Sequence, residues 1–477
     1  MKTITRRNFI KSAAISAATI SWTARSWSQV AGANETIRIA VVGFKGRGGD
    51  HISGLKKIAG VRITALCDVD KEVLEAGKQK IQDVETYTDI RKMLESKNVD
   101  AVSIATPNHW HALGAIWAIQ AGKDVYLEKP VSHNVWEGRK IVEAAKKYNK
   151  IVQTGTQSRS SLTGIKAAVE FVRKGNLGKI LVSRGLCYKR RDSIGKVDGP
   201  QPIPSSIDYD LWCGPAQKLP LMRKRLHYDW HWVWNTGNGD LGNQGIHEMD
   251  VARWFLGVME LSPRVLSIGG RLGYIDDGET PNTLIVYHDY PEAPLIFEVR
   301  GLPEKKGSKN MDKYKGAQIG IVIDCENGYI TVPSYSSAIV YDKDGKVIKE
   351  FKGAEDHYVN WIKAVRSRKV EDLNANILEG HLSSALCHTG NISYMLGKKK
   401  EPNEIREEIK SDSLLNETFG RMAEHLAKNE VDIKIDKLIL GIPLKMNPKS
   451  EKFIGNNEAS ALLTRNYRDP FIVPEKV

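Results

Sequence analysis

The chain is poor in the features that staple, span or coat a protein. Cysteine is scarce: Cys67, Cys187, Cys213, Cys325 and Cys387 are all there is in 477 residues, an odd set without paired spacing. Such a set builds no disulfide framework and reads as buried packing thiols. No stretch is apolar for long enough to anchor the chain in a bilayer. Repeats and low-complexity tracts are absent. The formal charge of +13 is not gathered into a patch, since runs such as Lys305-Lys306 and Lys398-Lys399-Lys400 are scattered solvated faces, which argues against a nucleic-acid groove.

Thr5-Arg6-Arg7-Asn8-Phe9-Ile10-Lys11 precedes a weakly apolar Ala/Ser/Thr-rich stretch and the small residues Ala31-Gly32-Ala33. This is the pattern of a twin-arginine export signal, expected over residues 1–33, with a periplasmic mature chain. The segment carries five cations and no acid, so its removal lowers +13 to +8.

Residues 37–68 form one unit: an apolar run from Ile37 to Val42, the turn Gly43-Phe44-Lys45-Gly46-Arg47-Gly48, an amphipathic stretch, a second apolar run and Asp68. Glycines let phosphates approach a backbone where no Cβ intervenes, and the helix that follows offers free N–H groups and a positive dipole end. Asp68 stands 20 residues after Gly48, where a carboxylate accepts ribose hydroxyls and repels a 2′-phosphate, so the pattern favours NAD over NADP. The spacing departs from G-x-G-x-x-G, with Lys45 in the second glycine's place. An export route that moves folded proteins implies a tightly held dinucleotide, recycled in place.

Strands and helices alternate up to about Gln157, which predicts a parallel sheet with ligands at its carboxyl ends. Those ends are Gly43, Asp68, Thr106-Pro107-Asn108, Glu128-Lys129-Pro130 and Gly155-Thr156-Gln157. Residues 34–157 are thus expected to form a Rossmann dinucleotide-binding domain. Residues 158–477 should form an α+β domain with an open, mainly antiparallel sheet, because strands there are separated by Gly, Pro and Asp.

Within that second domain, His227-Tyr228-Asp229-Trp230-His231-Trp232-Val233-Trp234 alternates polar and aromatic residues. As an extended strand it puts His227, Asp229 and His231 on one face and the aromatics on the other. Indoles stack on the C–H faces of sugars, and His and Asp bond hydroxyls; core packing by the tryptophans and a divalent metal on the polar face are the other readings. Tyr188, Lys189 and Arg191 are candidates to line the same cleft. His381 and His388, seven apart on a predicted helix, read as buried packing.

Together, Gly43 to Gly48, Thr106-Pro107-Asn108, Glu128-Lys129-Pro130 and Gly245-Ile246-His247 with Asp250 resemble the Gfo/Idh/MocA oxidoreductase family. The likeness extends to its exported, cofactor-retaining members such as glucose–fructose oxidoreductase and to the NAD-retaining glycosidases. It implies Lys129 at the active site, often with a cis Lys-Pro bond, His247 as general base, and subunits that pair across open sheets as homo-oligomers. Dehydrogenase members place an aspartate four residues before the histidine; here that position is Asn243, with Asp240 and Asp250 as the nearest substitutes. The resulting expectation for cofactor contacts is Gly43 to Gly48, Asp68, Thr106, Pro107, Asn108, Glu128, Lys129 and Gln157. For substrate contacts it is Tyr188, Lys189, Asp229, Trp230, His231, Asn243 and His247, with no metal. The expected activity is NAD-dependent oxidation of a sugar or glycoside. A redox-neutral glycosidase or lyase acting through a transient keto-sugar, and a carbohydrate-binding protein with a structural dinucleotide, are the alternatives.

Overall fold

The computed structural model describes residues 36–477. The expected export segment, 1–33, lies outside them. Six strands, β1 (Ile37–Val42), β2 (Val61–Cys67), β3 (Glu85–Tyr87), β4 (Ala101–Ile104), β5 (Asp124–Leu127) and β6 (Val152–Thr154), pair in parallel in the order β3-β2-β1-β4-β5-β6. The central strands are continuously apolar because helices cover both faces of the sheet. On one face lie α1 (Arg47–Leu55) and α2 (Lys71–Lys80), with the later helix His357–Ser367 driving the fully buried Trp361 against them. On the other lie α3 (Ile90–Leu94), α4 (Asn108–Gln120) and α5 (Val135–Lys147). Asp70 and Asn134 cap α2 and α5 by accepting backbone N–H bonds from Glu72 and Glu137. Strand order reverses between β1 and β4, which opens a crevice at their carboxyl ends.

The second sheet contains β7 (Ile180–Tyr188), β8 (Arg264–Gly270), β9 (Thr283–His288), β10 (Leu295–Arg300), β11 (Ile319–Cys325), β12 (Gly328–Ser334), β13 (Ser337–Tyr341), β14 (Val347–Lys352), β15 (Lys398–Lys400) and β16 (Leu438–Leu440). Its order is β14-β13-β12-β11-β7-β10-β9-β8-β16-β15, antiparallel except where β7 and β10 run parallel. The inner face packs on α6 (Gly245–Leu256) and α7 (Ile377–Met395). Over β8 to β10 the outer face is covered by the chain's own α8 (Pro402–Ile409) and α9 (Ser413–Lys428), whose Leu415, Phe419 and Met422 pack on Ile268, Ile285 and Ile296. Copies of the chain therefore cannot pair through that part of the sheet without displacing a packed helical layer.

Between β7 and α6, residues 189–238 add no strand to either sheet. The extended strand expected at 227–234 is absent: Tyr228 sits at φ +64°, and Asp229–Trp232 form a single 3-10 turn. The Arg225 guanidinium, bonded to both Asp229 oxygens, holds the turn, so polar and aromatic side chains are not sorted onto two faces. The C-terminal tail returns to the first domain, where Phe471 packs edge-on against Trp110 with centroids 5.5 Å apart. Among the described residues no helix is long and apolar enough to cross a membrane, and no cluster of three or more His, Cys, Asp or Glu is arranged to hold a metal.

Candidate active site

The crevice at the β1/β4 reversal opens into a cleft of about 600 Å³ between the two domains. Its first wall is made of strand ends. Gly43 ends β1 at φ +73°, and a Cβ there would lie 2.9 Å from the Thr106 backbone. A Cβ on Gly48 would fall 2.1 Å from the Gly43 carbonyl oxygen, so this glycine lets α1 close on the turn. Gly46 is different: a Cβ there meets nothing, and no side chain caps the helix N-terminus beside it. A backbone that is open on that side can receive a phosphate. Asp68 accepts N–H bonds from Phe44 at 3.1 Å and from Asp70 at 3.1 Å, which ties the glycine turn to the end of β2. Burial raises its pKa to about 6 against these bonds.

The chemistry-bearing end lies across β5 and the start of α6. The peptide bond Lys129-Pro130 is cis. Lys129 donates from Nζ to the Asn243 carbonyl oxygen at 3.0 Å, so the strand-end lysine meets the entry to the second domain's helix. Burial lowers its pKa, with Glu128 opposing. Burial pushes the Glu128 carboxyl up, but the His51 hydrogen bond and the Arg47 guanidinium outweigh it and hold it well below the ordinary carboxylate range. His247 faces the same cleft, and burial followed by the Lys129 charge keeps its imidazole well below the ordinary value.

Neither substitute carboxylate reaches His247. Asp240 is taken by Arg191 at 2.7 and 2.8 Å, and Asp250 by Arg159 and Ser383 at 2.8 and 2.7 Å. The expectation of Asp240 and Asp250 as substitutes is therefore corrected: Asp250, three residues along the helix from His247, turns into the core. The contact His247 does make is with the Tyr335 ring, at a centroid distance of 5.1 Å. Three residues absent from the sequence reading stand around it. Gln244 accepts from Lys189 at 2.8 Å and donates to Tyr335 Oη at 2.9 Å and to Glu248 Oε1 at 3.1 Å. Glu248 is buried, and burial raises its pKa to about 8. The one sequence cue to it was the i,i+4 pair Gln244/Glu248 flanking His247.

The second wall is the 189–238 excursion. His231 stacks on Trp230 with centroids 3.6 Å apart, and both line the cleft with His227, Tyr228 and Trp212. Of the expected residues, Gly43 to Arg47, Asp68, Thr106, Pro107, Asn108, Glu128, Lys129, Gln157, Trp230, His231, Asn243 and His247 line it; Gly48 lies behind the turn. Two do not belong. Tyr188 points to the opposite face of β7, buried, its hydroxyl donating to Glu298 at 2.7 Å. Asp229 is fully buried on Arg225. Lys189 stands beside the wall rather than on it, bonded to Gln244.

A dinucleotide fits these residues. Thr106 Oγ1, Gln157 Oε1 and His247 Nδ1 are buried and have no hydrogen-bond partner in the protein, a costly state that a polar ligand relieves. Residues 37–156 match a family model described as an oxidoreductase family with an NAD-binding Rossmann fold, and residues 163–289 match the same family's C-terminal alpha/beta domain. The chain belongs to the Gfo/Idh/MocA oxidoreductase family. It is 30% identical over 173 residues to a myo-inositol 2-dehydrogenase of Thermotoga maritima, covering 36% of this chain and 48% of that protein. It is also 30% identical over 159 residues to an alpha-N-acetylgalactosaminidase of Shewanella oneidensis, covering 31% and 34%. The chain thus spans about half or less of the length of these relatives. Among solved structures, the WlbA dehydrogenase of Bordetella pertussis, in complex with NADH and UDP-GlcNAcA, shares the fold at a TM-score of 0.54 and 21% identity, over 74% of this chain and 94% of that one. His381 and His388 lie outside the cleft; His381 bonds Glu451 at 2.9 Å, and both are buried.

Proposed function

We propose that the protein is an exported, periplasmic oxidoreductase that oxidises a ring hydroxyl of a sugar, cyclic polyol or glycoside and keeps its NAD bound between turnovers. The observation that carries this reading is the Lys129 Nζ contact with Asn243 O, which gathers the lysine and the helix of His247 at one cleft. Bound there, NAD would supply the hydride acceptor, and a carbonyl group on a second sugar or carrier would be the matching oxidant. Gly43, Gly46 and the N-terminus of α1 would hold its phosphates and Asp68 its ribose hydroxyls, and Thr106 and Gln157 have buried polar atoms free to meet it.

The chain's own residues manage the proton. His247 is neutral, because burial and the neighbouring ammonium oppose its charging, so it can take the proton of a substrate hydroxyl. Lys129 donates a hydrogen bond to the same oxygen as negative charge grows on it. The stacked Trp230/His231 pair offers a flat face to the C–H side of a ring. Assembly as a homo-oligomer, measured by light scattering, belongs to the same proposal.

A second reading has its own support. With no carboxylate at 243 to steady an imidazolium, His247 suits a proton passed on at once, as in elimination beside a transient ketone, and one relative is an alpha-N-acetylgalactosaminidase. The test is to load the protein with NAD and mix it with myo-inositol, common hexoses and aryl glycosides. Appearance of reduced nicotinamide on the protein supports net oxidation, whereas leaving-group release without it supports the redox-neutral route. Neither response across the panel rejects both.

A further inference from the structure

Asp68 marks the adenosine end of the cleft, and Lys129 with His247 marks the other. The Rossmann wall alone would leave the adenosine end open to solvent, since the sheet stops at the strand ends. Here it is roofed. Residues 203–230 cross over it and are fastened to the first domain at two places. At the end of β2, Asp208 N–H donates to the Val69 carbonyl at 3.1 Å and Lys71 N–H to the Ser206 carbonyl at 2.9 Å, an antiparallel bridge pairing Asp70 with Ile207. At the start of α4, His109 Nε2 bonds the Trp212 carbonyl at 2.9 Å, and Trp110 Nε1 donates to the Leu211 and Trp212 carbonyls at 3.0 and 3.1 Å.

The join is tight and apolar. Gly214 takes φ +47°, and a Cβ on it would lie 2.3 Å from the Trp110 ring. Ile207, Trp212, Leu221 and Leu226 form a small core of their own, with Val69 of the first domain packed against it. From outside, Arg468 of the C-terminal tail donates to the Asp210 carbonyl at 2.8 Å, and Phe471 covers Trp110.

We infer that residues 203–230 are the second half of the dinucleotide site, enclosing the adenosine moiety, and that NAD leaves only when the joins at Val69–Lys71 and His109–Trp110 come apart. This rests on the proposed function for the identity of the cofactor, and adds to it the segment that makes the cofactor resident. Leu211, Trp212 and His227, which line the cleft on this side, are its adenosine-facing residues. The apolar core and the buried indole N–H bonds must all be broken before the roof lifts, so release is slow even where the contacts to NAD itself are ordinary.

The test measures release of NAD from the loaded full-length protein into excess unlabelled NAD, with no substrate present. A non-hydrogen-bonded antiparallel pair has Cα atoms about 4.5 Å apart, within disulfide range. The double variant Asp70→Cys, Ile207→Cys can therefore be compared with itself, oxidised and reduced. The oxidised form should release NAD at least about tenfold more slowly than the reduced form, and Trp110→Phe, which keeps the ring but loses the N–H donor, about tenfold faster than the parent chain. Equal release rates in the oxidised and reduced forms, or a parent chain that exchanges NAD within seconds, would overturn the inference while leaving the cofactor assignment standing. A protein that takes up no NAD at all would overturn the proposed function as well.

Discussion

The two walls of the cleft are built on different principles. The first is a row of strand ends, where parallel hydrogen bonding sets the position of every turn and side chains such as Asp68 and Glu128 trim the result. The second, residues 189–238, adds no strand to either sheet and is fixed piecemeal, by the bridge at Ile207, the small apolar core around Trp212 and the ion pairs of Arg191 with Asp240 and Arg225 with Asp229. Backbone register tolerates side-chain changes, whereas a wall that leans on the buried carboxylates of Asp229 and Asp240 weakens when one partner is lost. Substitutions in the first wall should therefore alter chemistry and spare stability. Those in the second should do the reverse.

The largest effect is expected at Lys129. Lys129→Met should slow reduction of the bound nicotinamide by roughly a thousandfold, the upper scale of a lost donor to a developing oxyanion, with little change in melting temperature. Rapid-mixing absorbance and calorimetry on the same preparation check both halves. Next, Asp240→Ala leaves the Arg191 guanidinium buried without its partner and should cost on the order of 3 kcal/mol in denaturant unfolding. Asp68→Ala, whose carboxylate serves the turn and the ribose, should cost less than about 1 kcal/mol and instead relax the preference for NAD over NADP.

Glu248 sharpens the comparison through pH. Its folded pKa of about 8 lies above the ordinary 4.5, so it imposes no cost below that value. The penalty grows as pH rises between the two and levels off above the higher one. Glu248→Gln should therefore gain stability over the parent chain as pH rises from 5 to 8, by on the order of 3 kcal/mol at the top. A pH-independent difference would contradict a buried, proton-bearing carboxyl beneath the second wall. The smallest effect is on Asp68: as pH falls through about 6 its charge is lost, so discrimination against NADP should weaken a few-fold, measured by competitive binding at pH 7.5 and 5.

The same division explains what could be read in advance. The first wall was legible because strands buried on both faces write continuous apolar runs, and the residues that end them, Gly43, Asp68, Asn108 and Lys129, follow by position. Parity within β7 was not legible. Both its faces are buried, Cys187 against the helices and Tyr188 against Met311 and Val322, so no polar alternation says which side chain meets the cleft. At 227–234 the alternation was real, but the ion pair from Arg225 and the left-handed Tyr228 outweighed it, a tertiary contact that local pattern cannot carry. Glu248 escaped notice because a helix surrounded by protein on nearly all sides gives no amphipathic contrast.

The chemistry proposed for the cleft is transfer of hydrogen from a substrate ring carbon to a nicotinamide within reach of Lys129 and His247. Its most direct test uses the polyol or sugar that responds in the panel, deuterated at the ring carbons, in a single turnover with the NAD-loaded protein, followed by denaturation and mass spectrometry of the released cofactor. One deuterium on the nicotinamide ring is expected, at a rate that collapses in Lys129→Met. A cofactor released without deuterium while the sugar has been converted would contradict it.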